Sequence, residues 1–190
     1  MSHTSTAAVD QPGTNPNVQI AVLGGGCFWC TEAVFSDVRG VVSITPGYSG
    51  GHIDNPSYRE VCTGRTGHIE VVKVEFNSAV IDYRTVLEIF FATHDPTTED
   101  RQGADVGPQY ASAVFVQDET QRQVAEQVIA EVTEALGRPV VTHVVDQAPF
   151  WPAEPEHHDY YARNPEQGYC RVVIEPKLSK LRQRFREWVK

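Results

Sequence analysis

Two cysteines three residues apart lie in Gly24-Gly25-Gly26-Cys27-Phe28-Trp29-Cys30. A thiolate is a strong nucleophile, so this run is where covalent chemistry is expected first. The apolar segment Val18-Gln19-Ile20-Ala21-Val22-Leu23 before it reads as a strand, and Thr31-Glu32-Ala33-Val34-Phe35 after it suits a helix. Glycines allow a tight turn and let the backbone approach a ligand closely. Cys27 is thereby placed at or near a helix N-terminus, where unpaired N–H groups and the helix dipole favour thiolate over thiol. Phe28 and Trp29 are expensive to expose and suggest an apolar wall around a reactive sulfur. Cys27 is read as the nucleophile. Its spacing to Cys30 fits either a dithiol redox pair or half of a zinc site. Zinc would need two more ligands, yet Cys62 and Cys170 stand alone and His157-His158 has no second Cys-x-x-Cys to join. Redox chemistry is favoured over zinc.

Glu70 is the second chemical feature. In the strand Ile69-Glu70-Val71-Val72-Lys73-Val74-Glu75-Phe76 side chains alternate between faces, so Glu70 shares its face with Val72, Val74 and Phe76. A carboxylate on an apolar face is costly unless it is protonated or hydrogen-bonded. Desolvation raises its pKa, which suits a general acid near neutral pH. The alternative is a strand-end carboxylate that still reaches water. The polar, irregular stretch Asp95–Tyr110 reads as an ordered binding loop, and Tyr58 is a candidate donor from another loop. His68, His94, His157 and His158 invite a Cys/His hydrolase reading, but no spacing rule selects one of them.

Elements must hold these groups together. The spacing predicts strands at 18–23, 41–48, 69–76, 110–116, 140–145 and 170–174. Helices are predicted at 27–38, near 83–94 with Asp82 as N-cap, at 118–136 ending at Gly137, and at 178–190. Val124, Val128, Val132 and Leu136 make one apolar face, and Leu181, Phe185 and Trp188 another. Interleaved strands and helices in 190 residues predict one two-layer α/β domain over 18–190. Residues 1–17 are polar and read as a disordered leader, not a signal peptide. The reducing cytoplasm is the default compartment, where four cysteines are catalytic or metal-binding before they are structural disulfides. A net charge of -9 argues against nucleic-acid binding. No stretch is apolar enough for a membrane span.

Taken together, several stretches resemble the peptide methionine sulfoxide reductase A family. They are Gly26-Cys27-Phe28-Trp29, Gly47-Tyr48-Ser49-Gly50-Gly51, Thr66-Gly67-His68-Ile69-Glu70 and His94-Asp95-Pro96-Thr97. Arg101 through Gly107, Gln109-Tyr110 and Ala153-Glu154 through Tyr160 also match, in the family's order and spacing over residues 18–175. The resemblance implies an α+β fold, a two-layer sandwich of ferredoxin-like topology with long loops. It also implies reduction of the S epimer of methionine sulfoxide, free or in proteins, without metal or organic cofactor. Cys27 would attack the sulfoxide sulfur and become a sulfenic acid. Glu70 would protonate the sulfoxide oxygen, with Tyr58 and Tyr110 helping to polarise it. Phe28 and Trp29 would receive the S-methyl group, and Asp105 would anchor the substrate backbone or a water network. Thioredoxin would be the reductant of a monomeric enzyme.

The chain departs from the commonest family pattern at three positions. Asp100 and Ala111 stand where asparagine and arginine are frequent, and Cys30 replaces a glycine. Two thiols can therefore resolve the sulfenic acid into a disulfide. Cys30 is on the same turn. Cys170, in Gly168-Tyr169-Cys170, lies near where family members carry a recycling cysteine, but it leads into the predicted strand 170–174. The expected resolver is Cys30, with Cys170 as the alternative and Cys62 as a bystander. A thiol–disulfide oxidoreductase using Cys27 and Cys30 directly is the rival enzyme, and a zinc-stabilised interaction domain the rival without catalysis.

Overall fold

The structure, a computed structural model, describes residues 15–190. The expected leader over 1–17 lies outside the described residues except for its last three, which form a turn closed by the Val18 amide on the Asn15 carbonyl. The first strand, β1 (Val18–Gly25), leads through the glycine turn into α1 (Phe28–Ser36). β2 (Val41–Ser49), the short α2 (Tyr58–Cys62) and β3 (Ile69–Asn77) follow. Helix α3 (Tyr83–Ala92) starts at Asp82, whose side chain accepts the Thr85 amide as predicted.

The loop after α3 folds into a small hairpin of β4 (Arg101–Gln102) and β5 (Asp105–Val106). After β6 (Ser112–Val116) comes α4 (Glu119–Leu136), capped by Asp118 and stopped at Gly137 in the left-handed region, φ 64°. β7 (His143–Asp146), β8 (Phe150–Pro152) and the single turn α5 (Tyr160–Arg163) complete the sheet and its rim.

One six-stranded sheet carries the order β7-β6-β1-β3-β2-β8. All neighbours are antiparallel except β6 and β7, which run parallel. Alternation puts Ala21, Leu23, Val72, Val74, Phe76, Val114 and Val116 on the face covered by the helices, all of them buried. Val22, Val71, Ala113 and Phe115 pack a smaller cluster on the opposite face, closed by Ala148 and Phe150. Buried Val86, Leu87 and Phe90 press α3 onto the helical side, and Ala125 and Val128 do the same for α4.

The predicted strand over 170–174 is overturned. Cys170–Ile174 is a π-helical turn that runs straight into α6 (Glu175–Arg184). Its β-branched residues read as strand in isolation, but Pro176 explains the helical solution. A proline inside a helix has no N–H to donate, and its ring collides with the carbonyl four residues earlier; a widened turn relieves both faults. The predicted last helix is also displaced. α6 ends at Arg184, and Arg186–Trp188 form a separate 3-10 turn that bridges Val189 to Val38. The expected apolar stripe still docks: Leu178 and Leu181 are buried, and Phe185 and Trp188 pack against the core. No described helix is long and apolar enough to cross a membrane.

Strand β8 lies so close to β2 that only glycine fits at position 47. A Cβ there would meet the Trp151 carbonyl at 2.4 Å and the Phe150 ring at 2.5 Å. Gly47→Ala is expected to lower stability by about 1–3 kcal/mol through this overlap, read as an earlier urea midpoint. An unchanged midpoint would show that β8 is free to move aside.

Candidate active site

Gly24 and Gly25 end β1 opposite Ala113 and Ser112, and Gly26 makes the turn at φ 94°. A side chain at Gly26 would be strained, and its Cβ would lie 2.6 Å from Cβ of Gln102. Gln102 is held in turn by two hydrogen bonds with the Asp95 backbone, so the β4–β5 hairpin packs on the turn that presents Cys27. Cys27 is the N-cap of α1, and its carbonyl accepts the Cys30 amide. The helix position is therefore as predicted, but its electrostatic consequence is not. Burial, the Cys30 thiol and the Glu70 carboxyl push the Cys27 thiol up, outweighing the Trp29 amide that favours the thiolate. At rest Cys27 is a thiol.

Glu70 is 1% exposed, so the water-reaching alternative is excluded. Its Oε1 accepts the Phe28 backbone N–H at 3.1 Å, tying the start of α1 to β3. Its Oε2 is buried and has no hydrogen-bond partner among the described residues. Desolvation is the main reason its pKa rises to about 8, with Asp105 and Cys30 adding to it and the Phe28 amide opposing. The group is a neutral carboxylic acid at neutral pH, with one oxygen committed to the backbone and the other free for a ligand.

Aromatic rings wall this acid. Phe28 is buried and has Tyr48 at 5.6 Å, Tyr58 at 6.2 Å and His157 at 5.5 Å between ring centroids. Trp29 stacks on Tyr160 at 3.8 Å, and its indole N–H donates to Nδ1 of His157 at 3.2 Å. Burial, followed by the nearby Glu70, keeps the Tyr58 and Tyr110 hydroxyls protonated. Tyr110 reaches the site from the 3-10 turn Pro108–Tyr110. Glu154 clamps the wall: its two carboxylate oxygens accept the Tyr48 hydroxyl at 3.0 Å and the Tyr58 amide at 2.9 Å. Glu32 lies buried in α1 facing the Asp159 and Tyr160 backbone amides, and burial pushes its carboxyl up to about 7.

On the other side of Cys27 a cavity of about 360 Å³ opens, lined by Cys27, Cys30, Asp105, Tyr169, Val173 and Lys177 among others. The Tyr169 hydroxyl donates to Oδ2 of Asp105 at 2.7 Å and lies 3.3 Å from the Cys30 sulfur. Contacts with Cys27 and Tyr169 make Cys30 the more acidic of the two thiols. Asp105 thus reaches Cys30 through Tyr169, whose ring also stands edge-on to Trp29 at 5.9 Å. Cys170 is fully buried behind this cavity with its thiol 3.9 Å from Oε1 of Gln167. All four cysteines are unpaired, and Cys62 sits exposed at the end of α2.

The histidines are engaged in structure. His68 accepts the Gly51 amide at Nδ1 and contacts the Ile53 carbonyl at Nε2, fixing the loop after β2. His94 bridges the Phe90 carbonyl and the Ser112 hydroxyl, and burial lowers its pKa to about 4. His158 contacts the Ala153 carbonyl. His157 is the exception that sequence reasoning missed: no spacing singled it out, yet it stands in the aromatic wall. Tyr48, Glu154, Tyr160, Tyr169 and Lys177 were given no role either; the matches at Gly47–Gly51 and Ala153–Tyr160 contain Tyr48, Glu154 and Tyr160 but did not single them out. Ligand atoms of Glu154, Glu156 and His157 lie within 4.8 Å of one another, but Glu154 and His157 already serve Tyr48, Tyr58 and Trp29.

This arrangement, a thiol beside a protonated carboxyl in an aromatic box, has close relatives. The family model of peptide methionine sulfoxide reductase matches residues 19–189. The chain belongs to the peptide methionine sulfoxide reductase family. A relative from Chromobacterium violaceum, peptide methionine sulfoxide reductase MsrA, is 55% identical and aligned over 87% of this chain and 95% of its own. One of the same name from Thermus thermophilus is 54% identical over 88% and 96%. Among solved structures, reduced Mxr1 of Saccharomyces cerevisiae superposes with a TM-score of 0.77 at 30% identity, covering 83% of this chain and 91% of that one. Methionine sulfoxide reductase A of Corynebacterium diphtheriae gives 0.73 at 31%, covering 80% and 78%. The chain is an enzyme of methionine sulfoxide reduction with a mixed α/β fold.

The raised pKa of Glu70 has a consequence for stability. A carboxyl that holds its proton more tightly when folded than at its ordinary pKa of 4.5 gives the folded state the greater proton uptake between there and about 8. Stability therefore falls with rising pH across that window, by up to about 1.4 kcal/mol per unit from this group. Glu32 acts in the same direction over a narrower range. Glu70→Gln is expected to unfold at a higher temperature than wild type, with a gain that grows from pH 5 to pH 8. A gain independent of pH would mean that Glu70 is ionised in the folded protein.

Proposed function

We propose that the enzyme reduces the S epimer of methionine sulfoxide through a sulfenic acid on Cys27, with Glu70 as the acid. The unpartnered Oε2 of Glu70, buried beside Cys27, is the observation that carries this reading. A sulfoxide sulfur is electrophilic only when its oxygen is protonated or strongly hydrogen-bonded, and a carboxyl with a pKa of about 8 arrives already protonated. The substrate methyl group rests against Phe28 and Trp29. The sulfoxide oxygen faces Glu70, with the Tyr58 and Tyr110 hydroxyls as further donors.

Cys27 then attacks the substrate sulfur while Glu70 protonates the oxygen. The oxygen passes to Cys27 as its sulfenic OH, methionine leaves, and the Cys27 thiol proton replaces the one Glu70 gave. Two electrons move from the cysteine sulfur to the sulfoxide.

Recycling follows at Cys30. Its thiolate attacks the Cys27 sulfur, the S–O bond breaks and water leaves, yielding a Cys27–Cys30 disulfide. The shared turn and the direct interaction of the two thiols support Cys30 over Cys170. The sequence-based argument against Cys170, that it lies in a strand, no longer applies; its complete burial, with Cys30 and not Cys27 among the groups that act on it, takes its place. Asp105 holds Tyr169 against Cys30 and is proposed to order that pocket in preference to the substrate backbone. A dithiol of the thioredoxin class then reduces the disulfide. For the yeast relative Mxr1, a structure with Trx2 has been solved. The run β6-β1-β3-β2, with α1 and α3 as connections, supports the ferredoxin-like description. A monomeric cytoplasmic protein is the working picture, and the charge of -9 supports leaving nucleic acid out of its partners.

Glu70→Gln is expected to slow turnover of the S sulfoxide by about two orders of magnitude or more. The wild-type rate should fall as pH rises through about 8, where Glu70 loses its proton, and the variant should lose that limb. Separated R and S sulfoxides check the substrate assignment, and turnover of R alone would overturn it. A dithiol oxidoreductase, by contrast, would reduce protein disulfides and be indifferent to Glu70.

Peptide mapping after one turnover without reductant should recover a Cys27–Cys30 bridge. A Cys27–Cys170 bridge, with Cys30→Ser recycling normally, would reassign the resolver.

A further inference from the structure

Lys177 stands apart from every group used above. It projects from α6 and lines three spaces at once. The first is the cavity beside Cys27 and Cys30. The second is a small enclosed pocket of about 10 Å³ bounded by Cys30, Thr31, Thr93 and His94, room for one water-sized molecule. The third is a basic groove shared with Lys180, Arg138 and Arg184. The ammonium donates to the Thr93 carbonyl at 2.9 Å, and no carboxylate of the described residues lies within ion-pair distance of it. A largely buried ammonium with one neutral acceptor is an incomplete arrangement, since buried charges are normally paired.

Cys30 is the group placed to complete it. Both residues line the enclosed pocket and the larger cavity, and the Tyr169 hydroxyl lies 3.3 Å from the same sulfur. We infer that Lys177 is a positioning residue for recycling: its ammonium holds Cys30 as the thiolate that attacks the Cys27 sulfenic acid. This inference rests on Cys30 being the resolver. No new reactant enters. Cys30 gives its proton to water, its sulfur bonds to Cys27, and the sulfenic oxygen departs as hydroxide that takes up a proton.

The charges facing the pair agree with this role. Around Cys30 stand Cys27 and Tyr169, which lower its pKa by hydrogen bonding, Lys177, which lowers it by charge, and Asp105, which opposes. Around Lys177, burial dominates and lowers its pKa, Cys30, Cys27 and Asp105 raise it, and Lys180 lowers it. His94, held neutral against the same pocket, adds no competing charge at neutral pH. Lys180 opposes Lys177 from the groove side, and Cys30, Cys27 and Asp105 are the groups on the cavity side that favour the ammonium, Cys30 foremost.

The test measures Cys30 acidity directly. Alkylation of Cys30 by iodoacetamide is followed against pH in a Cys27→Ser background, with Cys30 labelling quantified by peptide mapping. Lys177→Met keeps the aliphatic stem and removes the charge. It should move the Cys30 profile up by about one unit. Lys177→Arg should restore it towards the parent. In the otherwise native chain, single-turnover experiments separate methionine release from disulfide formation. Lys177→Met should slow the second step relative to the first by about threefold at pH 7. A tenfold smaller thiolate fraction is partly offset there by a more nucleophilic sulfur. The deficit should vanish at high pH. Should Lys177→Met fold poorly, Lys177→Gln and the wild-type pH dependence of disulfide formation give the same readouts. An unchanged alkylation profile, or an equal shift in Lys177→Arg, overturns the inference. Rapid disulfide formation in Cys30→Ser overturns the resolver reading on which it rests, whatever the alkylation profiles show.

Discussion

The hydrogen bond from the Phe28 amide to Glu70 joins the first turn of α1 to the middle of the sheet, and the site is arranged around it. It requires Glu70 to sit on the buried face of β3, where desolvation keeps the carboxyl protonated. It also places Cys27, one residue before Phe28, against that carboxyl. The same burial that makes Glu70 an acid makes Cys27 a poor thiolate. The resting site is therefore neutral at both reacting groups, and net proton transfer is confined to the catalytic cycle. A helix N-terminus alone would predict an activated thiolate. Burial exceeds it here because both groups share one dry enclosure.

A second constraint comes from the far end of the chain. The helix that contains Cys170, Pro176 and Lys177 runs along the opposite wall of the thiol pocket. Its π turn accommodates Pro176 and brings Tyr169 and Lys177, eight residues apart, to the cavity that Cys30 lines. The two thiols consequently see different surroundings: Cys27 faces a neutral acid and aromatic rings, while Cys30 faces a hydroxyl and an ammonium. Two adjacent sulfurs with unlike environments suit the two unlike steps proposed for them, oxygen removal at one and disulfide formation at the other.

Much of this was legible before folding, and the reasons are physical. The strand–glycine–cysteine–helix order gave the N-cap position of Cys27 because turn chemistry is local. Alternation in β3 put Glu70 on the apolar face because pleating is also local, while its access to water stayed open. Asp82, Asp118 and Gly137 marked helix ends through hydrogen bonds that span only a few residues. The segment Cys170–Ile174 failed on the same logic: Val172, Val173 and Ile174 favour extended backbone, and only packing of the following helix against the core reverses that preference. Short β8 and α2 left no periodic signal long enough to read. The aromatic wall escaped as a unit because Tyr48 and the segment Glu154–Tyr160 are far apart in the chain and meet only after β2 pairs with β8.

The order of residues along the chain was enough to name the family and to propose the nucleophile and its acid, since each depends on a short run whose geometry follows from its own residues. Tertiary structure decided the protonation states. Whether Cys27 rests as thiol or thiolate, whether Glu70 reaches water, and which charge stands behind Cys30 are set by what other segments remove from solvent or bring near. Desolvation and Coulomb interactions depend on distance in space, and separation along the chain does not encode that distance.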